Sequence, residues 1–192
     1  MQSSTGIALR WLGPQARALH PLLHQLHQRG GMLRGEVRVG FGSGIAARIG
    51  RRVARRLGIP AAGMHAFEVH IRDDGECLHW DRRFDSGAWV RSRFRPVGGW
   101  PGGWWIEQTG PLQLRLTVEV IDGGWHWRVL ALRWHALRLP ARLLRSTAYK
   151  RVEQGRYRFQ VSVAVPLLGE VLSYGGLLDM APLPQFSGLP GG

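Results

Sequence analysis

The chain has 192 residues, 44% of them hydrophobic, which supports a continuous core and excludes a disordered polymer. Its formal net charge is +13, and Lys150 is the single lysine, so arginine supplies nearly all of the positive charge. One cysteine, Cys77, excludes a disulfide framework and a cysteine-based metal site.

In chain order, residues 1–7 read as loose. A helix is expected over 14–28, where Leu19, Leu22, Leu23 and Leu26 fall near one stripe and Gly30-Gly31 ends it. Pro21 breaks this helix, kinks it or starts a second one. Val37, Val39 and Phe41 then alternate as a strand. A second helix is expected over 44–57, with the stripe Ile45, Ile49, Val53 and Leu57. Arg48, Arg51, Arg52, Arg55 and Arg56 lie off that stripe, and Gly58 and Pro60 stop the helix.

The period then changes to two. Phe67, Val69 and Ile71 lead through the turn Asp73-Asp74-Gly75 to Leu78, Trp80, Arg82 and Phe84. Further strand-like runs occupy 87–95, 103–109, 112–121, 125–134, 142–152, 156–165 and 168–174, with turn signals at Asp122-Gly123-Gly124 and Gln154-Gly155. The expected fold is mainly β within α+β: a curved antiparallel β-barrel or half-barrel of about nine or ten strands, lipocalin-like in spirit, packed by two N-terminal helices. A meander of this size must curl or close, because a flat sheet leaves exposed edges. Residues 1–178 form one expected β-rich domain, and 179–192 a Pro/Gly-rich tail over the surface. No apolar leader or spanning helix is evident, so a cytoplasmic location is the default expectation.

Several short motifs recur in one order: Gly35-Glu36-Val37-Arg38-Val39, Gly58-Ile59-Pro60, Trp80-x-Arg82-x-Phe84 with Ser92 downstream, and Glu107-x-x-Gly110-Pro111. Leu139-Pro140, Gly155-Arg156-Tyr157-Arg158-Phe159, Pro166-Leu167-Leu168-Gly169 and Tyr174-x-Gly176-x-Leu178 follow. In order and spacing the chain resembles a bacterial family described only as domain of unknown function four-one-six-six. Its members stand alone or behind NAD(P)-binding oxidoreductase domains. The resemblance implies no established activity and no known catalytic residues; an oxidoreductase partner is an expectation by analogy. This chain carries no GxGxxG nucleotide-binding half.

The candidate site rests on Trp80-x-Arg82-x-Phe84. Period two puts all three side chains on one face, and the aromatic pair makes that face the interior. An interior guanidinium needs an anion, either Glu107 in a direct pair or a ligand carboxylate or phosphate. Trp104 and Trp105 must point to opposite faces of a strand, so one turns inward, and Glu107, Tyr174 and nearby histidines could supply general acid–base chemistry. The expected ligand-binding set is Arg82, Glu107, Trp80, Phe84, Trp104, Trp105 and Tyr174. A structural Arg–Glu pair and simple tryptophan packing stand beside it as plainer explanations.

His20, His24 and His27 fall at helical spacing that could hold Zn²⁺, but a solvent-facing polar stripe is the preferred reading, and neither metal nor cofactor is expected. The leading function is binding of a small apolar or amphipathic, possibly anionic, molecule in the cavity. A cofactor-free isomerase or cyclase using the same cavity is one alternative. A basic adaptor for an anionic membrane or nucleic acid, docking through helix 44–57, is another.

Overall fold

A computed structural model describes residues 5–85, 87–140 and 144–181. Eleven strands run β1 (Gly31–Gly40), β2 (Gly63–Asp73), β3 (Leu78–Phe84), β4 (Val90–Val97), β5 (Trp104–Thr109), β6 (Leu112–Ile121), β7 (Gly124–Trp134), β8 (Leu137–Leu139), β9 (Arg145–Glu153), β10 (Arg156–Val165) and β11 (Gly169–Ala181). Three helices accompany them: α1 (Ile7–Leu12), α2 (Pro21–Arg29) and α3 (Gly44–Arg56), with a 3₁₀ segment Gly13–Ala18 between the first two.

Every strand pairs antiparallel with its sequence neighbours, except that β8 is a short extension hydrogen-bonded to β7 alone. The circle closes twice over. β11 pairs with β1, and β7 pairs with both β6 and β9, giving a closed ten-strand barrel. Closure removes the free edges that a sheet of this size would expose. Bulges that leave Leu130 of β7 unpaired opposite Arg115/Leu116, and Val171 of β11 unpaired opposite Val163/Ala164, help bend the wall.

The strand order sorts the connections to two ends. The turns β2–β3, β4–β5, β6–β7 and β9–β10 lie at one end, together with the N-terminal helices. The connections β3–β4, β5–β6, β7–β9 and β10–β11 lie at the other, together with α3. The first end is plugged. Ile7, Leu12, Leu23 and Leu26 are buried there, and Trp11 meets Trp105 with ring centroids 5.5 Å apart. Trp105 in turn meets Trp125 at 6.5 Å. The Trp100 backbone N–H donates to the Trp11 carbonyl, and the His20 N–H to the Gly123 carbonyl, both at 2.9 Å.

At the other end α3 lies against β11. Ala46, Ala47, Gly50 and Ala54 form its buried face. A Cβ on Gly50 would fall 1.8 Å from the Val171 carbonyl oxygen, so only glycine permits this approach. The stripe Ile45, Ile49, Val53 and Leu57 therefore does not meet the sheet. It points across the barrel mouth, with Ile45 63% and Ile49 38% exposed, while the arginines face solvent.

Three expectations need correction. The N-terminal region holds α1 as well as α2, because Ile7, Leu9, Trp11 and Leu12 bury against the barrel end and draw the first described residues into a helix. Pro21 starts α2 at its first turn, where its missing N–H costs nothing, so residues 14–18 are 3₁₀ rather than α-helix. The last strand continues through Ala181, three residues into the expected tail; residues 182–192 lie outside those described.

Candidate functional site

The barrel encloses a cavity of about 470 Å³ on its α3 side. Its walls are the inward faces of the strands. Val161, Val163 and Val165 come from β10, Leu114 and Leu116 from β6, and Ser146 and Ala148 from β9. Leu57 and Val53 of α3 contribute at the mouth. One side of the wall is aromatic. Phe67 stacks on Phe159 with centroids 5.3 Å apart, and Phe84 and Phe159 each meet Tyr174 at about 6 Å.

A polar cluster interrupts this apolar surface. Arg82 on β3 donates from Nη1 to the Tyr174 hydroxyl at 2.9 Å and from Nη2 to Ser92 Oγ. Ser92 hydrogen-bonds Thr109, whose Oγ1 donates to Glu107 Oε1 at 3.0 Å. Period two explains the grouping: Arg82, Ser92, Glu107 and Thr109 all take inward positions on the adjacent strands β3, β4 and β5. No ion pair joins Arg82 to Glu107 among the described residues, so the expected direct contact is replaced by a relay through two hydroxyls. Serine and threonine are short enough to stand between the two longer side chains on neighbouring strands.

Lys150 completes the cluster. It is 5% exposed, lines the same cavity, and carries its Nζ 3.2 Å above the centre of the Trp80 ring. The rings of Trp127 and Trp125 lie 5.4 and 5.5 Å away. Its amine has no hydrogen-bond partner among the described residues. Burial lowers its pKa well below the usual lysine value; Glu107 opposes the shift and Arg82 reinforces it. Burial raises Glu107, against the pull of Arg82, Thr109, Lys150 and Ser92, which favours the neutral acid. Tyr174 and Tyr157 are also raised by burial. The site is thus a low-dielectric pocket whose lysine and carboxyl are driven toward neutrality.

Of the seven residues expected at the site, Trp80, Arg82, Phe84, Glu107 and Tyr174 line the cavity. Trp104 and Trp105 do not. Trp105 turns inward but belongs to the plug, fully buried among Trp11, Trp125 and Trp127. Trp104 points outward, where the Arg115 guanidinium lies 3.6 Å over its ring. Sequence reading missed Lys150. Its alternation with Ala148 and Val152 on β9 was the available signal, since period two carries it to the apolar face.

The histidines separate. His20 caps α2 by accepting from the Leu22 N–H, whereas His27 is buried and stacks on Trp125 with centroids 4.5 Å apart. His27 is therefore part of the plug rather than a solvent-facing stripe, and burial lowers its pKa well below the ordinary value. No group of three metal-ligating side chains occurs among the described residues. No described helix is long and apolar enough to cross a membrane.

No curated protein matches the chain significantly. A family model matches residues 19–178, which span β1 through most of β11, the cavity and every member of the polar cluster. The chain accordingly belongs to the family described as Domain of unknown function (DUF4166).

Proposed function

We propose that this protein binds a small apolar or amphipathic molecule inside its barrel. The observation that carries the reading is the 470 Å³ cavity, apolar on most of its wall and polar at one cluster. That combination suits a ligand with a hydrocarbon body and one polar group, because convergent polar side chains fix orientation while apolar walls supply burial. Arg82, held by Tyr174 and Ser92, offers the polar end a positive field, which an anionic head group would also use.

The test is a titration with decanol and decanoate, followed by tryptophan emission, since Trp80 and Trp127 line the cavity. Saturable binding of either probe, lost when Ala148→Trp fills the space, is expected. No saturable change with either probe overturns the reading.

A second reading concerns α3. Between Ile45 and Leu57 it carries five arginines and no acidic residue, beside an exposed apolar ridge at the mouth. Leu137 and Leu168, in the connections at that end, are exposed as well. Apolar ridge and cationic flank together suit an anionic bilayer rather than a phosphate backbone alone. Sedimentation with phosphatidylserine vesicles at low salt, lost for Ile45→Asp/Ile49→Asp and weakened by salt, is the expected result. Equal binding to duplex DNA, unaffected by those substitutions, overturns it.

A further inference from the structure

We propose that Lys150 is the covalent anchor of the cavity, condensing through Nζ with the aldehyde or ketone group of an apolar ligand to form an imine. The inference rests on the cavity-binding reading and adds the ligand's chemical class.

Three observations converge. First, the amine is built into the pocket. Lys150 lies on β9, where it pairs with Phe159 on one side and Trp125 on the other, and its side chain lines the cavity. Second, Nζ has no hydrogen-bond partner among the described residues and meets only the rings of Trp80, Trp125 and Trp127 there. An ammonium that gives up hydration for ring faces alone is poorly compensated. Third, the groups facing it favour the free amine over an ion pair. No carboxylate lies within 4.0 Å of Nζ among the described residues. Arg82 disfavours a second positive charge, and Glu107, whose carboxylate would favour one, is itself pushed toward the neutral acid. Desolvation of this kind is what makes a lysine nucleophilic near neutral pH.

The step balances without oxidant or metal. The Nζ lone pair forms a bond to the carbonyl carbon as the carbonyl π pair moves to oxygen. The nitrogen releases a proton and the oxygen takes one, giving a carbinolamine. The C–O bond then breaks, the nitrogen lone pair forms the C=N bond, and water leaves. Glu107, a carboxyl group on the same cavity wall, supplies the proton to the departing hydroxyl and recovers it from nitrogen. Arg82 on β3 and Tyr174 on β11, hydrogen-bonded to each other within the cavity, orient the carbonyl oxygen. An acyl or isoprenoid-like chain would then lie along the valines of β10 toward the mouth.

The chain lends itself to a direct test, because Lys150 is its only lysine and the α-amino group is the only other primary amine. The full chain is incubated with decanal and sodium cyanoborohydride, and its intact mass and peptide map are recorded. The expected result is one alkyl adduct on Lys150, formed at least tenfold faster than on the α-amino group. The adduct is absent in Lys150→Met. Its rate rises with pH and levels off at a lower pH than an ordinary lysine, whose midpoint lies at about 10.4, would allow. Ala148→Trp, which leaves the amine in place, abolishes it by filling the cavity. Decanol and decanoate binding to the unmodified chain serve as the control. If decanol binds but decanal labels only the α-amino group, the imine inference is overturned and the cavity reading stands. If decanoate binds at least tenfold more tightly than decanol and decanal gives no Lys150 adduct, Lys150 is an ionic anchor and the inference is overturned. If no probe binds and no adduct forms, both readings fall.

Discussion

The two ends of this barrel are made from the same ten strands, yet one is solid and the other hollow. Eight strands enclose a space that side chains can just fill, and ten enclose more. At the plugged end the difference is made up by outsized inserts: Trp105 and Trp125 from the wall, Trp11, Leu12 and Leu23 from the helices, and His27 stacked on Trp125. At the mouth end several inward positions are held by Val161, Val163, Ala148 and Ser146, which are too short to meet across the lumen. The lesson is that the hole follows from residue size at fixed barrel width.

That contrast can be broken most forcefully in the plug. Trp125→Ala should cost about 3–5 kcal/mol in urea unfolding, since a large buried ring leaves a closed void. Leu114→Ala, facing space that already exists, should cost about 2 kcal/mol, at the low end for such a truncation. Equal losses would erase the distinction between solid and hollow ends.

Arg82 comes next. Breaking a direct buried ion pair would cost about 3–5 kcal/mol. Because a hydroxyl relay and a raised Glu107 pKa replace that pair, Arg82→Met should cost only about 1–3 kcal/mol, from the hydrogen bonds to Tyr174 and Ser92. Adding Glu107→Leu should change this little. A large recovery in the double variant would restore the direct-pair picture.

The plug should also sense acid. Folded His27 is held neutral, while the unfolded chain takes up a proton near pH 6.5, so the unfolded state binds more protons as pH falls. Stability contributed by the neutral ring is therefore complete above about pH 6.5 and declines below it, by up to about 1.4 kcal/mol per pH unit. In His27→Phe that slope, measured by unfolding at several pH values, should shrink. An unchanged slope would place the acid sensitivity elsewhere.

The smallest stability effect belongs to the hollow end. Ala148→Trp should shift folding stability by less than about 1.5 kcal/mol, because space already exists for the ring. Decanol binding should nonetheless fall at least tenfold. A large destabilisation would mean that the cavity is narrower than its volume suggests.

Much of this architecture was legible in sequence because alternation of side chains is local. Trp80, Arg82 and Phe84 were assigned to the interior by period two, and they line the cavity. Strands such as Leu112–Ile121 and Arg156–Val165 coincide with their apolar runs. What alternation does not carry is depth along the barrel axis. Trp105 was correctly expected among inward candidates, yet it lies in the plug, because depth depends on the stagger of ten strands. The Ser92–Thr109 relay was equally invisible, since it joins three strands that only the register brings together. Lys150 was overlooked because a lone lysine among arginines reads as surface charge, although its neighbours Ala148 and Val152 sit on the same face.

The closure between β7 and β9 is short: among the described residues, only Trp125, His126 and Trp127 pair with Lys150, Tyr149 and Ala148. Beyond Trp127, β7 keeps β6 on one side and takes β8 on the other. The barrel therefore behaves as a sleeve with a seam, fastened over three rungs and unlaced toward the rim. Lys150 holds the innermost rung of that fastening, opposite Trp125. Backbone amides along this seam should exchange with deuterium sooner than those of the fully laced β1–β11 pair, and a guest seated at Lys150 should slow them.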